Sequence, residues 1–116
     1  MTRPLPEGPA SAASPPLEAD RMAEAAGRAA DYLKSLAHEQ RLMILCHLAG
    51  GEKTVGELEG RLGARQAAVS QQLARLRFEG LVAARRDGKT VLYSLADDRV
   101  ERLIALLYDL FCPREP

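Results

Sequence analysis

The spacing of apolar residues is helical over most of the chain and strand-like in one short stretch. Helical spacing predicts five helices, over residues 17–36, 41–49, 54–62, 66–78 and 97–111. Residues 81–95 instead contain two strand-like runs around Asp87 and Gly88, a pair that favours a tight hairpin turn. The pattern therefore predicts a mostly α fold with one β-hairpin, in the order helix, helix, helix, helix, strand, strand, helix.

The third and fourth predicted helices have the pattern of a helix-turn-helix. Thr54 is placed to cap the third helix, Glu57 completes a capping box, and Gly63 ends the helix. A turn of about three residues separates it from the fourth helix. The apolar positions of the fourth helix fall at i, i+4 and i+7, at Val69, Leu73 and Leu76. Because its other side is polar and basic, and the hairpin follows as a wing, we predict a winged helix-turn-helix.

The second and last helices are the most apolar. The second, RLMILCHLA, is apolar almost all round, which predicts a position at the centre of the core. The last helix carries a wide apolar stripe before Pro113, formed by Val100, Leu103, Ile104, Leu107, Leu110 and Phe111. We expect a partner to cover part of this stripe.

The length of 116 residues is sufficient for one compact domain. Residues 1–16 contain five of the seven prolines and no apolar period, which predicts a disordered tail. Residues 17–113 are expected to form the folded domain, and 114–116 a short C-terminal tail. No apolar run approaches the roughly 20 residues that a membrane span requires, and the N-terminus lacks the order of a secretory signal. We therefore expect a cytoplasmic protein without a membrane partner.

The charge distribution is more informative than the formal net charge of zero, which alone argues against a nucleic-acid partner. Between Arg61 and Thr90 there are seven basic and two acidic residues, a local net charge of +5. This basic segment coincides with the predicted helix-turn-helix and wing. The distribution therefore favours binding to DNA.

The fourth helix and the wing supply the candidate DNA-binding residues. A recognition helix reads base edges with amides and hydroxyls near its start, while basic residues bind phosphates. The candidates are Gln66, Ser70 and Gln71 for bases, Arg65, Arg75, Arg86 and Lys89 for phosphates, and Ala68 on the same predicted surface. Alternatively, the charges only solvate a helix face. The wing after the two helices favours DNA binding.

Three stretches together resemble the ArsR/SmtB family of winged-helix repressors: SLAHEQRLMILCHL, AAVSQQLARLRFEGLV and RRDGKTVLYSL. The resemblance covers roughly residues 30–113. It implies a symmetric homodimer joined through the first and last helices, a palindromic double-stranded operator, and release from that operator by an inducer. The apolar stripes on the two helices are surfaces that such a dimer would bury.

Metal sensing in this family requires clustered cysteine or imidazole ligands. Thr54 and Gly56 stand where metal-sensing relatives carry a cysteine pair, and the last helix contains no histidine. His38 resembles a family position with a structural role, and we expect it to cap or to pack. His47 points about 100° away from Cys46 on a helix. We expect no metal and no cofactor, while a site made by two thiols remains open.

Cys46 lies in the second helix and Cys112 just after the last one. Two unrelated buried cysteines would act as small apolar residues, whereas accessible thiols could react. The contexts ILCHL and FCP resemble the sulfide- and persulfide-responsive branch of the family (SqrR and BigR type). This resemblance implies a dithiol switch, in which a persulfide inducer leads to an intrasubunit polysulfide bridge and DNA is released. A metal-responsive or general thiol-oxidation-responsive repressor is the alternative.

Two other classes of function are alternatives to DNA binding. The sequence shows no Ser/His/Asp set, glycine-rich phosphate loop, acidic pair or close CxxC motif, so we expect no enzyme. A winged helix that binds proteins remains open, because the fold can use its surfaces for such partners. Salt-dependent binding to random duplex DNA would distinguish the two.

Overall fold

The computed structural model describes residues 17–113, which form five helices and one hairpin. The helices are α1 (Ala19–Leu36), α2 (Glu39–Ala49), α3 (Val55–Leu62), α4 (Gln66–Phe78) and α5 (Asp98–Phe111), and the strands are β1 (Val82–Asp87) and β2 (Thr90–Leu95). This order confirms the predicted winged helix-turn-helix. The two predicted tails, residues 1–16 and 114–116, lie outside the described residues.

The helix α1 crosses the boundary between two compact units of the chain. One unit extends to Tyr32 and the other begins at Leu33. In the first unit α1 is largely exposed, and Met22 keeps 58% of its surface accessible. Its dense alanine, glutamate and arginine residues favour the helix locally. In the second unit α1 ends at Leu36, which is buried.

The start of α2 is fixed by a histidine that caps the backbone. His38 Nδ1 accepts a hydrogen bond from the amide of Gln40 at 3.2 Å. The helix therefore begins at Glu39, before the predicted start at Arg41. The predicted structural role of His38 is confirmed in the form of a cap.

The helix α3 has the predicted caps at both ends. Thr54 Oγ1 accepts from the amide of Glu57 at 3.0 Å, and the Glu57 carboxylate accepts from the amide of Thr54 at 2.8 Å. The hydrogen bond from the Thr54 backbone holds the pKa of Glu57 below its ordinary value. Gly63 ends the helix with a φ of +63°, a conformation that glycine adopts without steric cost. The short turn to α4 follows directly.

The hairpin is antiparallel, and its last pair joins Asp87 to Thr90. The two-residue turn is therefore Gly88–Lys89, one position later than the predicted pair Asp87–Gly88. Gly88 has a φ of +68°. Glycine at the first central position is what such a tight turn favours.

The hairpin is extended by a short backbone pairing with the segment that follows α2. The amide of Lys53 donates to the carbonyl of Tyr93 at 3.0 Å, and the amide of Tyr93 donates to the carbonyl of Lys53 at 2.8 Å. The wing is thereby connected to the C-terminal side of α2.

The hydrophobic core is built mainly from α2 and α4, with two further residues from α5. Its buried residues are Leu36, Ile44, Leu45, Leu48, Leu58, Val69, Leu73, Leu76, Leu81, Val82, Val100 and Ile104. The helix α2 contacts α5, α3 and β2, which confirms its predicted central position. One side of α2 is nevertheless open, because Met43 and Cys46 are exposed.

The helix α5 buries its N-terminal half and exposes much of its C-terminal half. Val100 is 0% exposed and Ile104 is 8% exposed. The large apolar or aromatic side chains near the other end remain at least half accessible, at Leu106, Tyr108, Leu110 and Phe111. Within one chain, only the N-terminal part of the predicted apolar stripe is therefore buried.

Candidate DNA-binding surface and cysteine pair

The helix α4 is positioned by an apolar face that is closed within the chain. Val69, Leu73 and Leu76 are each 0% exposed. Their spacing at i, i+4 and i+7 places them on one side, against α3 and β1. The opposite side of α4 therefore faces solvent and is free to enter a DNA groove.

The predicted DNA-binding residues differ in their accessibility. The exposed ones are Arg65, Gln66, Gln71, Arg75, Arg86 and Lys89. Ala68 and Ser70 are half-buried, so they lie at the margin of the exposed side of α4. The first turn of α4 thus presents one exposed amide, at Gln66, and its second turn presents another, at Gln71.

Arg75 is held by an acidic residue one turn further along α4. Its Nε lies 3.0 Å from Glu79 Oε2, and 63% of its side chain remains accessible. Burial raises the pKa of Glu79, but hydrogen bonds from Arg75 and Ser35 and the charge of Arg41 outweigh it and hold the pKa below its ordinary value. Arg75 can therefore meet a phosphate only in competition with a neighbouring carboxylate.

The wing is held to the loop after α2 by a two-pronged ion pair. Arg85 Nε and Nη2 donate to the two carboxylate oxygens of Glu52 at 2.7 and 2.8 Å. This hydrogen bonding lowers the pKa of Glu52 and raises that of Arg85. Planar pairing of this kind fixes direction as well as distance. Arg85 therefore serves the geometry of the wing, while Arg86 and Lys89 remain exposed.

A polar contact that the sequence analysis missed joins α2 to α4. Arg41 Nε donates to Gln72 Oε1 at 2.6 Å, and Arg41 Nη1 donates to the carbonyl of Ser35 at 3.0 Å. A sequence signal existed, because Gln72 is three residues from Val69 and four from Leu76, which puts an amide beside the buried face. Its partner, 31 positions earlier in the chain, had no local signal.

Both cysteines are free thiols and both are exposed. The alternative of two buried core cysteines is therefore wrong for the single chain. Cys46 lies in α2, and Cys112 is the C-terminal cap of α5, its amide donating to the carbonyl of Tyr108 at 2.9 Å. Because α2 packs against α5, the two thiols belong to neighbouring elements.

His47 has a different environment from Cys46, although the two are adjacent. Its side chain is half-buried, and burial together with the charges of Arg61 and Lys53 holds the pKa of His47 below its ordinary value. This agrees with the expectation that His47 and Cys46 point in different directions.

Residues 17–113 also bear on two other kinds of site, for metal ions and for membranes. In this range no cluster of three or more His, Cys, Asp or Glu side chains could hold a metal ion. Nor does this part of the chain contain a helix with the length and apolar character needed to cross a membrane.

Comparison with known proteins identifies sequence relatives that regulate transcription. Residues 38–84 match the model of the family described as "Bacterial regulatory protein, arsR family". The chain is 50% identical over 94 residues to the biofilm growth-associated repressor of Agrobacterium fabrum, covering 81% of this chain and 80% of the relative. It is 43% identical over 97 residues to the transcriptional activator HlyU of Vibrio cholerae, covering 84% and 90%. These relatives are regulators rather than enzymes.

Solved structures show the same fold. The transcriptional repressor BigR from Xylella fastidiosa superposes with a TM-score of 0.80 at 40% identity, over 84% of this chain and all of that one. The homodimeric winged helix-turn-helix DNA-binding domain of Mb0332 from Mycobacterium bovis has a TM-score of 0.66 at 36% identity, covering 80% and 86%. The chain therefore belongs to the arsR family of DNA-binding transcriptional regulators, in the branch of the BigR-type biofilm repressors.

Proposed function

We propose that this protein is a homodimeric repressor that binds a palindromic operator and releases it when persulfide links Cys46 to Cys112 within one subunit. The observation that carries the proposal is that both thiols are free and exposed on elements that pack together. In this account residues 17–113 are the DNA-binding and dimerisation domain. The protein acts in the cytoplasm, where its operator lies.

Operator binding is assigned to α4 and the wing. Gln66 and Gln71 project from the exposed side of α4 and offer amides that suit base edges. Arg65, Arg86 and Lys89 supply charge for phosphates, which contributes affinity without sequence information. Ser70 and Ala68, being half-buried, contribute only if DNA approaches α4 closely.

Dimerisation is assigned to α5 together with α1. The exposed C-terminal half of α5 presents large apolar side chains that a partner helix would remove from water, among them Leu110 and Phe111. Mb0332, which shares the fold, is described as homodimeric. A symmetric pair would place two copies of α4 on successive major grooves, roughly 34 Å apart, as a palindrome requires.

The sensing chemistry requires only two thiols and a persulfide donor. Each cysteine thiolate attacks the outer sulfur of one RSSH molecule, whose S–S bond breaks and releases RSH. The persulfide anion on one cysteine then attacks the inner sulfur of the other cysteine persulfide and expels hydrogen sulfide. Overall, two thiols and two RSSH give one trisulfide, two RSH and one H₂S. The donor sulfur is reduced and the cysteine sulfur is oxidised, so no further oxidant is needed.

Release follows if the bridged state disfavours the dimer geometry that fits DNA. The bridge would tie α2, which lies at the centre of the core, to the end of α5, which is the proposed dimer contact. A shift in the angle between subunits would then move the two recognition helices out of register with the grooves. A difference of a few kcal/mol in DNA affinity between the two states is sufficient.

The test is intact-protein mass spectrometry before and after treatment with an organic persulfide, followed by peptide mapping. We expect a gain of one sulfur and a loss of two hydrogens, located in a cross-link between Cys46 and Cys112. Matched Cys46→Ser and Cys112→Ser variants should form open persulfides without a cross-link. Treated protein in which both cysteines remain unlinked would overturn the sensor proposal and leave DNA binding intact.

Two further treatments separate the alternatives. Peroxide that closes a plain disulfide at low dose would favour a general thiol-oxidation sensor. Zinc that binds with loss of both free thiols and releases DNA would favour a metal-responsive regulator.

A further inference from the structure

We propose that Arg41 is a positioning residue for the recognition helix: through Gln72 and the carbonyl of Ser35 it sets the rotation of α4 that sequence-specific DNA binding requires. The inference rests on operator binding by α4 and is independent of the cysteine switch. Arg41 itself lies on α2 and is half-buried. It acts on DNA only through the helix that it holds.

The first support is the geometry of the guanidinium group. Its Nε reaches Gln72 Oε1 at 2.6 Å while its Nη1 reaches the Ser35 carbonyl at 3.0 Å. An arginine side chain only donates, so the oxygen of the Gln72 amide must face it. Because the guanidinium is planar and rigid, the two bonds fix the position of the Gln72 amide relative to the end of α1.

The second support is what a hydrogen bond adds to the core. Val69, Leu73 and Leu76 decide which side of α4 is buried, but apolar burial is non-directional and resists small rotations of the helix less than a directional bond does. Hydrogen bonds weaken steeply when they bend, so a bond to one side of α4 resists rotation of the helix about its axis. Gln71, the exposed amide, immediately precedes Gln72 and lies about 100° around the helix from it. Rotation that broke the Arg41 contact would therefore also displace Gln71.

Arg41 and Gln72 differ in this respect from the residues that meet DNA. Loss of a phosphate contact weakens binding to all duplexes, because such contacts carry no sequence information. Loss of the correct helix rotation weakens only the sequence-specific part, since base contacts depend on placement. The ratio of affinities for a specific and an unrelated duplex therefore separates positioning from both charge loss and partial unfolding.

The experiment measures that ratio with reduced full-length protein. The specific probe is a duplex selected from a random library by the wild-type protein, and the second probe is the same duplex with scrambled sequence. Arg41→Lys keeps the charge but loses the planar fork, and Gln72→Leu removes the acceptor. We expect each to weaken the specific duplex by about tenfold or more while the scrambled duplex changes less than about twofold.

The control variant is Arg99→Lys, because Arg99 pairs with Asp97 beside its own helix start at 2.8 Å. It should leave both affinities unchanged. The double variant Arg41→Lys with Gln72→Leu should be no worse than Arg41→Lys alone, because that variant already loses the bond to Gln72. Equal losses on both duplexes, additive losses in the double variant, or an unchanged ratio in folded protein would each overturn the proposal. A wild-type protein that does not discriminate between the duplexes would instead contradict operator binding.

Discussion

The recognition helix α4 and the terminal helix α5 are both amphipathic, yet only α4 buries its whole apolar face within one chain. The core residues of α4 are 0% exposed, and its outer side is polar and basic. In α5 the apolar side chains are buried only as far as Ile104, whereas Leu110 is 63% exposed and Phe111 is 78% exposed. The apolar face of α4 is therefore buried in the single chain, whereas the end of α5 leaves large apolar side chains accessible, where the proposed function places a partner.

In the proposed function, this difference suits the end of α5 to regulation. A helix that is fully packed has one favourable position, whereas a surface completed by a second molecule can be repositioned at lower cost. Cys112 lies at the incomplete end, and Cys46 lies on the central helix α2. A bond between them would connect the central helix α2 to the exposed end of α5.

The largest effect on stability is expected at Leu73, in the buried apolar face of α4. Leu73→Ala should lower the free energy of unfolding by about 2–5 kcal/mol, because it leaves a cavity in a fully buried site. Chemical denaturation measures this loss. The control Gln66→Ala, on the exposed side of the same helix, should stay within about 0.5 kcal/mol of wild type. Similar values for the two variants would show that α4 is not closed as described.

The open face of α5 is tested at Leu110. Leu110→Glu should raise the dimer dissociation constant by at least about tenfold, because a buried unpaired carboxylate opposes association. Sedimentation measurements over a range of protein concentrations give this constant. Leu110→Met keeps the volume and the apolar character and should retain the dimer. A dimer unaffected by Leu110→Glu would place the partner contact elsewhere.

The basic surface of the wing is tested by the salt dependence of DNA binding. Arg86→Ala and Lys89→Ala should each reduce the slope of log affinity against log salt by about one, equally for specific and scrambled duplexes. Fluorescence anisotropy in a salt series measures the slope. Arg99→Ala removes a charge that is paired with Asp97 and should leave the slope unchanged. Unaltered slopes in the wing variants would exclude these residues as phosphate contacts.

The smallest expected effect concerns the carboxylate at the end of α4. The pKa of Glu79 lies below its ordinary value, so its ionised form stabilises the fold above the unfolded pKa. That contribution is lost as the pH falls through the folded pKa. Glu79→Gln should therefore cost less than about 1 kcal/mol at neutral pH, and the difference should vanish in acid. Denaturation at several pH values checks this, and a difference that grows in acid would contradict it.

Local signals explain how much of the fold was predictable. The capping box at Thr54, the glycine at Gly63 and the apolar spacing of α4 each specify geometry within a few residues, and all three predictions were confirmed. The start of α2 was predicted too late because Glu39 and Gln40 are polar, so the apolar run does not include the first residues after the His38 cap. The hairpin turn was displaced by one residue because Asp87 is still paired, with Thr90.

The site was less predictable, because its contacts join distant parts of the chain. Exposure on α4 could be derived from helical phase, and six of the eight candidate residues are exposed. The hydrogen-bond partners of Arg41 and Arg85 could not be derived from the sequence, because these bonds span 31 and 33 positions and depend on how the elements pack. The exposure of Cys46 was also hidden, because a helix apolar on nearly all sides gives no phase from which to choose an open face.

The central claim is that joining Cys46 to Cys112 releases DNA. The most direct measurement is the affinity of reduced and persulfide-treated protein for the selected duplex, with Cys112→Ser and Cys46→Ser in parallel. We predict that treated wild type loses at least about tenfold in affinity, which corresponds to about 1.4 kcal/mol, and recovers after reduction. Both serine variants should bind before and after treatment. A Cys112→Ser protein that releases DNA on treatment as wild type does would contradict the account.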